Sequence, residues 1–324
     1  MCTAINEVGK YHLFGRTLDI ECTYGERIII TPRNYCLDFL RDAPQSLHSA
    51  IIGMGCIRDN RPLYYDGANE WGLAMAGLNF PGNAVYHKPK REARNVTSYE
   101  LIPWVLSQCK TLSSAVELIR TANITDDAFS SELQKTPLHW IIADKNNAVT
   151  VESVTDGIKV YENSMGVLTN NPPFPYHITR ICDFMNLSSS SPKNTLTSSL
   201  KLSAYSRGMG SIGLPGDFSS SSRFIRSAFA KNHTDKPSSE REAVSRFFHI
   251  MDTVCVPCGC IKTDEGRSVY TVYTSCIDTK ELTYYFTTYN NRRIRAVKLE
   301  RKYLNSRKLN AFPLRDEEDV LILQ

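Results

Sequence analysis

The sequence predicts an α+β protein: two antiparallel sheets packed face to face between helical layers, a four-layer αββα sandwich. Strand-like and helical patterns alternate in large blocks, in the order strand, helix, strand, helix, strand. Turn residues punctuate the strand blocks, and Ser/Thr-x-x-Glu signals open the helical ones. A chain of 324 residues that is 42% hydrophobic can bury a continuous core, so one domain spanning residues 1–324 is expected. Block order alone leaves a two-domain α+β arrangement open.

The first block runs from residue 2 to about 80, with β-forming runs at Tyr11 to Phe14, Arg27 to Pro32, Ala50 to Ile57 and Leu73 to Leu78. Two helices follow. Thr97-Ser-Tyr-Glu100 is a capping box before Leu101-Ile-Pro-Trp-Val-Leu, and Ser114-Ala-Val-Glu117 opens Leu118-Ile119-Arg120. Strands return as a meander at Leu138 to Ala143, Ala148 to Val154 and Gly157 to Tyr161, then Gly166-Val-Leu-Thr and the turn Asn170-Asn171-Pro172-Pro173. The second helical block covers about 174–185, 221–232 and 239–252, the last opened by Ser239-Glu-Arg-Glu242. Ser188 to Gly216, rich in Ser and Gly, is too long for a simple connection and is a candidate functional loop. Strands at Ser268 to Cys276, Leu282 to Thr288 and Ile294 to Leu299 precede the acidic Asp316-Glu-Glu-Asp319.

The 38 basic and 34 acidic residues are too evenly balanced to imply a nucleic-acid partner, and the basic stretch from Arg292 to Lys308 reads as a solvated surface. No run approaches the roughly 18 apolar residues of a membrane span, and no basic, then apolar, leader opens the chain; a cytoplasmic protein is expected. The ten cysteines are then expected as reduced thiols. Cys255-Val-Pro-Cys258-Gly-Cys260 lacks the second pair or the histidines of a tetrahedral zinc site, so no metal is expected there.

Cys2 follows the initiator methionine, where removal of Met1 exposes it as the N-terminus. A free Cys2 carries a thiol and an α-amine on one residue, and an amine of pKa near 7.7–8.0 can accept the thiol proton without a histidine. Arg16-Thr-Leu-Asp19 adds a guanidinium that favours thiolate and a carboxylate that can orient the ammonium. In a strand, however, positions three apart point to opposite faces, so both serve one site only if the chain turns; a surface ion pair is the plain alternative. Asn79, Asn171 and Arg223 read by themselves as turn, cap or helix-start residues.

Met-Cys-Thr at the start, Gly15-Arg-Thr-Leu-Asp19, Asn69-Glu-Trp-Gly-Leu-Ala-Met-Ala-Gly-Leu-Asn79-Phe-Pro-Gly, Leu168-Thr-Asn-Asn171-Pro and Gly213-Leu-Pro-Gly-Asp-Phe-Ser-Ser-Ser-Ser-Arg223-Phe together resemble the choloylglycine hydrolases. The likeness extends through Leu101-Ile-Pro-Trp, Pro137-Leu-His-Trp and Tyr273-Thr-Ser-Cys276, and so spans nearly the whole chain. It implies an N-terminal-nucleophile (Ntn) hydrolase of αββα fold in which Cys2 matches the nucleophile, Arg16 and Asp19 its activating and orienting partners, and Asn79 and Asn171 the oxyanion-hole pair. Arg223 matches an arginine that stabilises charge at the reacting centre. Cys255, Cys258 and Cys260 stand where relatives usually carry Val-Pro without flanking thiols.

The implied reaction cleaves the amide of glycine- or taurine-conjugated bile salts, a small-molecule substrate, with no cofactor and a homotetramer as the family assembly. Asn79 favours this branch over the penicillin V acylases, which usually carry Tyr at that place. Position alone nominates Leu18, Ile20, Tyr24, Phe129 and Leu133 for the acyl pocket. The rivals are a penicillin V acylase-type amidase, a non-catalytic amphiphile-binding member that keeps Met1, and a papain-type pairing of an internal cysteine with His139.

Overall fold

A computed structural model describes residues 1–130 and 135–323. Strands β1 (Cys2–Glu7), β2 (Leu13–Ile20), β3 (Arg27–Thr31), β4 (Ile51–Arg58), β5 (Arg61–Asn69) and β6 (Ala74–Asn79) come first. Then follow β7 (Arg94–Thr97), helices α1 (Leu101–Gln108) and α2 (Leu112–Thr121), and β8 (Ala122–Thr125). The meander β9 (Leu138–Ala143), β10 (Ala148–Val154) and β11 (Gly157–Glu162) leads to the short β12 (Val167–Leu168), then to helices α3 (Phe174–Arg180), α4 (Ser220–His233) and α5 (Glu240–Asp252). The chain closes through β13 (Ile261–Lys262), β14 (Ser268–Asp278), β15 (Thr283–Thr288), β16 (Arg295–Lys298), the single turn α6 (Arg301–Leu304) and β17 (Asn310–Pro313).

One sheet runs β12-β1-β2-β14-β15-β16, with β13 added on β14; the other runs β11-β10-β9-β6-β5-β4-β3-β17. Strand alternation distributes the second sheet's side chains. Ile28, Ile30, Ile52, Ala74, Ala76 and Ile141 face the first sheet, whereas Ile29, Ile51, Met75 and Ile142 pack against Trp104 and Val105 of α1 and Ala115 and Ile119 of α2. These strands are covered on both sides, which explains why Ile28-Ile29-Ile30 and Ile51-Ile52 are apolar without a break. Helix α4 contacts β1 and α5 contacts β2 and β14, closing the other face. The arrangement is the expected αββα sandwich, with one core cluster joining residues of both sheets.

Local details differ from the sequence expectation where side chains find other partners. Helix α1 starts after Glu100, whose carboxylate accepts from the Thr97 hydroxyl at 2.8 Å and the Leu40 amide at 3.0 Å instead of closing a capping box. Helix α2 begins earlier, at Leu112, with the capping box formed by Thr111 and Ser114. The terminal β17, which no sequence pattern announces, pairs antiparallel with β3 as an edge strand, where its Pro313 is tolerated.

Candidate active site

Cys2 is the first residue of β1 and lies between the sheets, 2% exposed. Its partner across the ladder is Leu18, and Ala4 faces Arg16. Pleating therefore puts the Cys2, Arg16 and Leu18 side chains on one face of the sheet and Thr3, Thr17 and Asp19 on the other. No turn intervenes in β2. Arg16 reaches the thiol from the core side, with Nη2 donating to Cys2 Sγ, while Asp19 stands on the face towards α4.

The Arg16 guanidinium is fully buried and donates to four acceptors: the Thr17 carbonyl at 3.1 Å, the Tyr65 carbonyl at 3.2 Å, the Gly77 carbonyl at 2.6 Å and the thiol. Burial disfavours its charge, but Cys2, Tyr273, Asp66 and Asp19 more than offset that, holding its pKa above the ordinary value. On the opposite face, Asp19 accepts from the Thr17 hydroxyl at 3.1 Å and the Thr271 hydroxyl at 2.7 Å. The β14–β2 ladder shifts register between Thr271 and Tyr273, and this irregularity brings the Thr271 hydroxyl onto Asp19. Met1 extends the pairing, its carbonyl accepting from the Asp19 amide at 3.0 Å and its ammonium donating to the Asp19 carbonyl.

Arg223, in the first turns of α4, ties this helix to the site. It donates to the Cys2 carbonyl, to the Thr3 hydroxyl at 2.7 Å and to Asn170 Oδ1 at 2.6 Å. Burial lowers its pKa, opposed by the charges of Asp19 and Cys2. Asn170 Oδ1 also accepts from the Cys2 amide at 2.9 Å, and its Nδ2 donates to the Asn79 carbonyl at 2.7 Å. Asn79 itself ends β6, half-exposed.

Asn171, which the resemblance matches to an oxyanion-hole pair with Asn79, has its Nδ2 donating to the Pro81 carbonyl, and it is Asn170 that contacts Cys2. The register is the reason. Strand β12 pairs Leu168 with Ala4 and Val167 with Ile5, so the run continues with residue 170 level with Cys2. His139 is not at the thiol either. Its ring is stacked on Phe80, 4.2 Å between centroids, with Nε2 donating to the Thr169 carbonyl at 3.0 Å and Nδ1 at 3.2 Å from Glu152. It supports the backbone beside Asn170, as does His177 at the Asn170 carbonyl, 3.0 Å.

Of the nominated pocket residues, Leu18 packs beside Cys2 in the core, Ile20 is half-buried opposite Tyr270, and Tyr24 is 43% exposed. Phe129 meets Tyr99 edge-on at 5.4 Å, and Leu133 lies outside the described residues. Sequence reasoning missed Thr17, Thr271, Asn170 and Asp66. The last had a signal: a lone acid inside the apolar strand Leu63-Tyr64-Tyr65-Asp66-Gly67. Among the described residues no cluster of three or more His, Cys, Asp or Glu is placed to hold a metal, and no helix is long and apolar enough to cross a membrane. Cys255 is half-buried, its pKa pushed up to about 12 by burial, while Cys258 and Cys260 are exposed. A cavity of about 1210 Å³ lies at the far end of β1 around Glu7, Lys10, Lys231 and Arg246 and includes none of the residues at the thiol.

The arrangement is a buried thiol against one guanidinium, with its backbone held by a second guanidinium and an amide, and a carboxylate within the charge field of both arginines. Such a set can generate a thiolate and move its proton to an adjacent amine. The model of the linear amide C–N hydrolases, choloylglycine hydrolase family, matches residues 2–312. A bile salt hydrolase/transferase of Lactiplantibacillus plantarum is 43% identical over 98% of both chains. The solved conjugated bile acid hydrolase of Clostridium perfringens, in its C2A mutant form, superposes with a TM-score of 0.91 at 32% identity over the whole of both chains. A penicillin V acylase from Agrobacterium tumefaciens shares the fold at 19% identity, with a TM-score of 0.75 over 96% of this chain and 90% of its own.

Proposed function

The chain belongs to the choloylglycine hydrolase family of linear amide C–N hydrolases, and from that premise we propose that it hydrolyses glycine- and taurine-conjugated bile salts with Cys2 as nucleophile. The observation that carries this reading is the contact of the Arg16 guanidinium with the Cys2 thiol at the head of β1. Once Met1 is removed, the α-amine of Cys2 takes the thiol proton and the thiolate attacks the amide carbonyl. Asn170 Oδ1, now on the Cys2 amide nitrogen, holds that amine in place, and the Asn79 side chain is the proposed donor to the oxyanion.

Collapse of the tetrahedral intermediate breaks the C–N bond. The ammonium returns its proton to the departing glycine or taurine nitrogen, leaving a Cys2 thioester. Water, deprotonated by the same amine, attacks the thioester; the bile acid leaves and the thiol regains its proton. Arg223 fixes the Cys2 carbonyl and Asn170 throughout, and Asp19 adds the negative charge that steadies the ammonium. Leu18, Ile20 and Tyr24 remain the candidates for the acyl pocket. The whole chain is read as one catalytic domain, supported by the core shared between the sheets.

Location in the cytoplasm and assembly as a homotetramer belong to the same reading. Exposed Met185, Leu196, Tyr205 and Ile212 on the long loop after α3 support assembly, which size-exclusion chromatography with light scattering tests. The deciding assay is release of glycine and taurine from glycocholate and taurocholate beside penicillin V, using Met1-processed protein. Bile salt turnover that disappears in Cys2→Ala supports the reading. Preference for penicillin V moves the substrate to the acylase branch, and absence of turnover by processed protein overturns catalysis altogether.

A further inference from the structure

Beneath Arg16 lies a carboxyl group that takes no part in the proposed proton transfers. Asp66 of β5 is fully buried on the eight-stranded sheet, yet its hydrogen-bond donors come from the other sheet: the Tyr273 hydroxyl at 2.6 Å, the Tyr284 hydroxyl at 2.6 Å and the Ser275 hydroxyl at 3.3 Å. The Ser275 hydroxyl also accepts from the Arg16 amide at 3.1 Å, and the guanidinium donates to the carbonyl of Tyr65, the residue before Asp66. Burial raises the Asp66 pKa, opposed by Arg16 and the three hydroxyls. Three hydroxyls converging on one buried carboxyl, with a guanidinium charge nearby, offset part of that burial cost and are an uncommon investment for packing alone.

The charges facing Cys2 come from several elements. Arg16 and Asp19 stand on β2 and Arg223 on α4; Asp66 and the phenols of Tyr273 and Tyr284 reach the thiol through Arg16. Behind Asn170 are His139 and His177, beyond Asp19 is Cys255, and the α-amine belongs to Cys2 itself. Two arginines, Arg16 and Arg223, thus share the surroundings of the thiol with two acidic side chains, Asp19 and Asp66. Removing Asp66 takes away one of the acidic groups that oppose the Arg16 charge beside the sulfur.

We propose that Asp66 is a positioning residue that acts through Arg16, fixing the guanidinium and balancing its charge so that the Cys2 thiol ionises only in concert with its own amine. The chemistry gives a reason for such restraint: a thiolate made too stable is a weaker nucleophile. The inference rests on Cys2 being the nucleophile.

The test is the pH dependence of Cys2 alkylation by iodoacetamide in Met1-processed protein, with the Cys2 peptide quantified by mass spectrometry. Asp66→Asn is expected to move the midpoint about one pH unit lower, since an unopposed charge within a few ångströms stabilises thiolate by that order. Glycocholate kcat falls while KM changes little, because the acyl pocket is untouched. Tyr284→Phe removes one donor from Asp66, weakens its ionised form, and moves the midpoint the same way by less. An unmoved midpoint overturns the proposal, even where turnover falls, because that is a packing defect alone. Should Asp66→Asn fail to fold by circular dichroism, Tyr284→Phe decides by the same criterion. Turnover that survives Cys2→Ala sinks the nucleophile reading and leaves the alkylation result standing by itself.

Discussion

Asn170 and Cys2 are joined directly: Oδ1 of the asparagine accepts the Cys2 amide at 2.9 Å, while its neighbour Asn171 turns to the Pro81 carbonyl. Asn170→Ala is therefore expected to lower kcat for glycocholate by roughly 10²- to 10³-fold, in the range of a lost preorganised donor or acceptor at a reacting centre. Asn171→Ala should stay within about tenfold of the parent on the same scale. Steady-state kinetics on the two variants side by side checks the assignment; equal losses would count against it.

Arg223 makes contacts that a lysine cannot reproduce. Its fork spans the Phe218 carbonyl at 3.0 Å, the Cys2 carbonyl, the Thr3 hydroxyl and Asn170 Oδ1. Arg223→Lys keeps the charge and loses the geometry, so it should cost about 10²-fold or more in kcat while KM moves little. Near-normal kcat in a folded Arg223→Lys protein would show that charge alone suffices.

Gly15 is required by a close approach of β2 to β14, not by its backbone angles. A Cβ there would stand 2.0 Å from the Ser275 carbonyl oxygen. Gly15→Ala must push apart the strands that carry Arg16 and Ser275, and is expected to destabilise the fold by about 3 kcal/mol or more. Urea unfolding of the variant measures this, and a midpoint equal to the parent's would refute it.

His12 makes the fold acid-sensitive. Buried between Asn6 and Thr279, its pKa is lowered from 6.5 to about 4, chiefly by burial and against the opposing charge of Asp144. Between those two values the unfolded chain binds a proton that the native state refuses. Stability is accordingly lost as pH falls from about 6.5 to 4, by about 3 kcal/mol in all, and is fully present above 6.5. His12→Gln, which keeps hydrogen-bonding capacity without titrating, should flatten that part of the stability curve. A slope unchanged in the variant would place the acid sensitivity elsewhere.

The block order of strands and helices and the N-terminal thiol were legible in the sequence, because periodicity and residue chemistry are local properties, whereas β5 and the short β7, β8, β13 and β17 were not, and the link of Arg16 and Asp19 to the thiol came from the family resemblance. Even the constraint on Arg16 and Asp19 was legible: three residues apart in a strand, they lie on opposite faces, as the straight β2 confirms. What remained open was whether two faces could serve one residue. Tertiary structure answers this by placing Cys2 at the start of β1, where its side chain meets Arg16 between the sheets and its backbone meets Arg223 and Asn170 beside α4.

The choice between Asn170 and Asn171 likewise lay outside the sequence, since it depends on how β12 registers against β1, and a slip of one residue reverses every side chain. Asp66 is the extreme case. Its donors, Tyr273, Ser275 and Tyr284, follow more than two hundred residues later on the facing sheet, so only the packing of one sheet on the other creates the site it occupies. Sequence chemistry supplied the thiol and its charged partners; the register of strands and the stacking of sheets decided which of them touch.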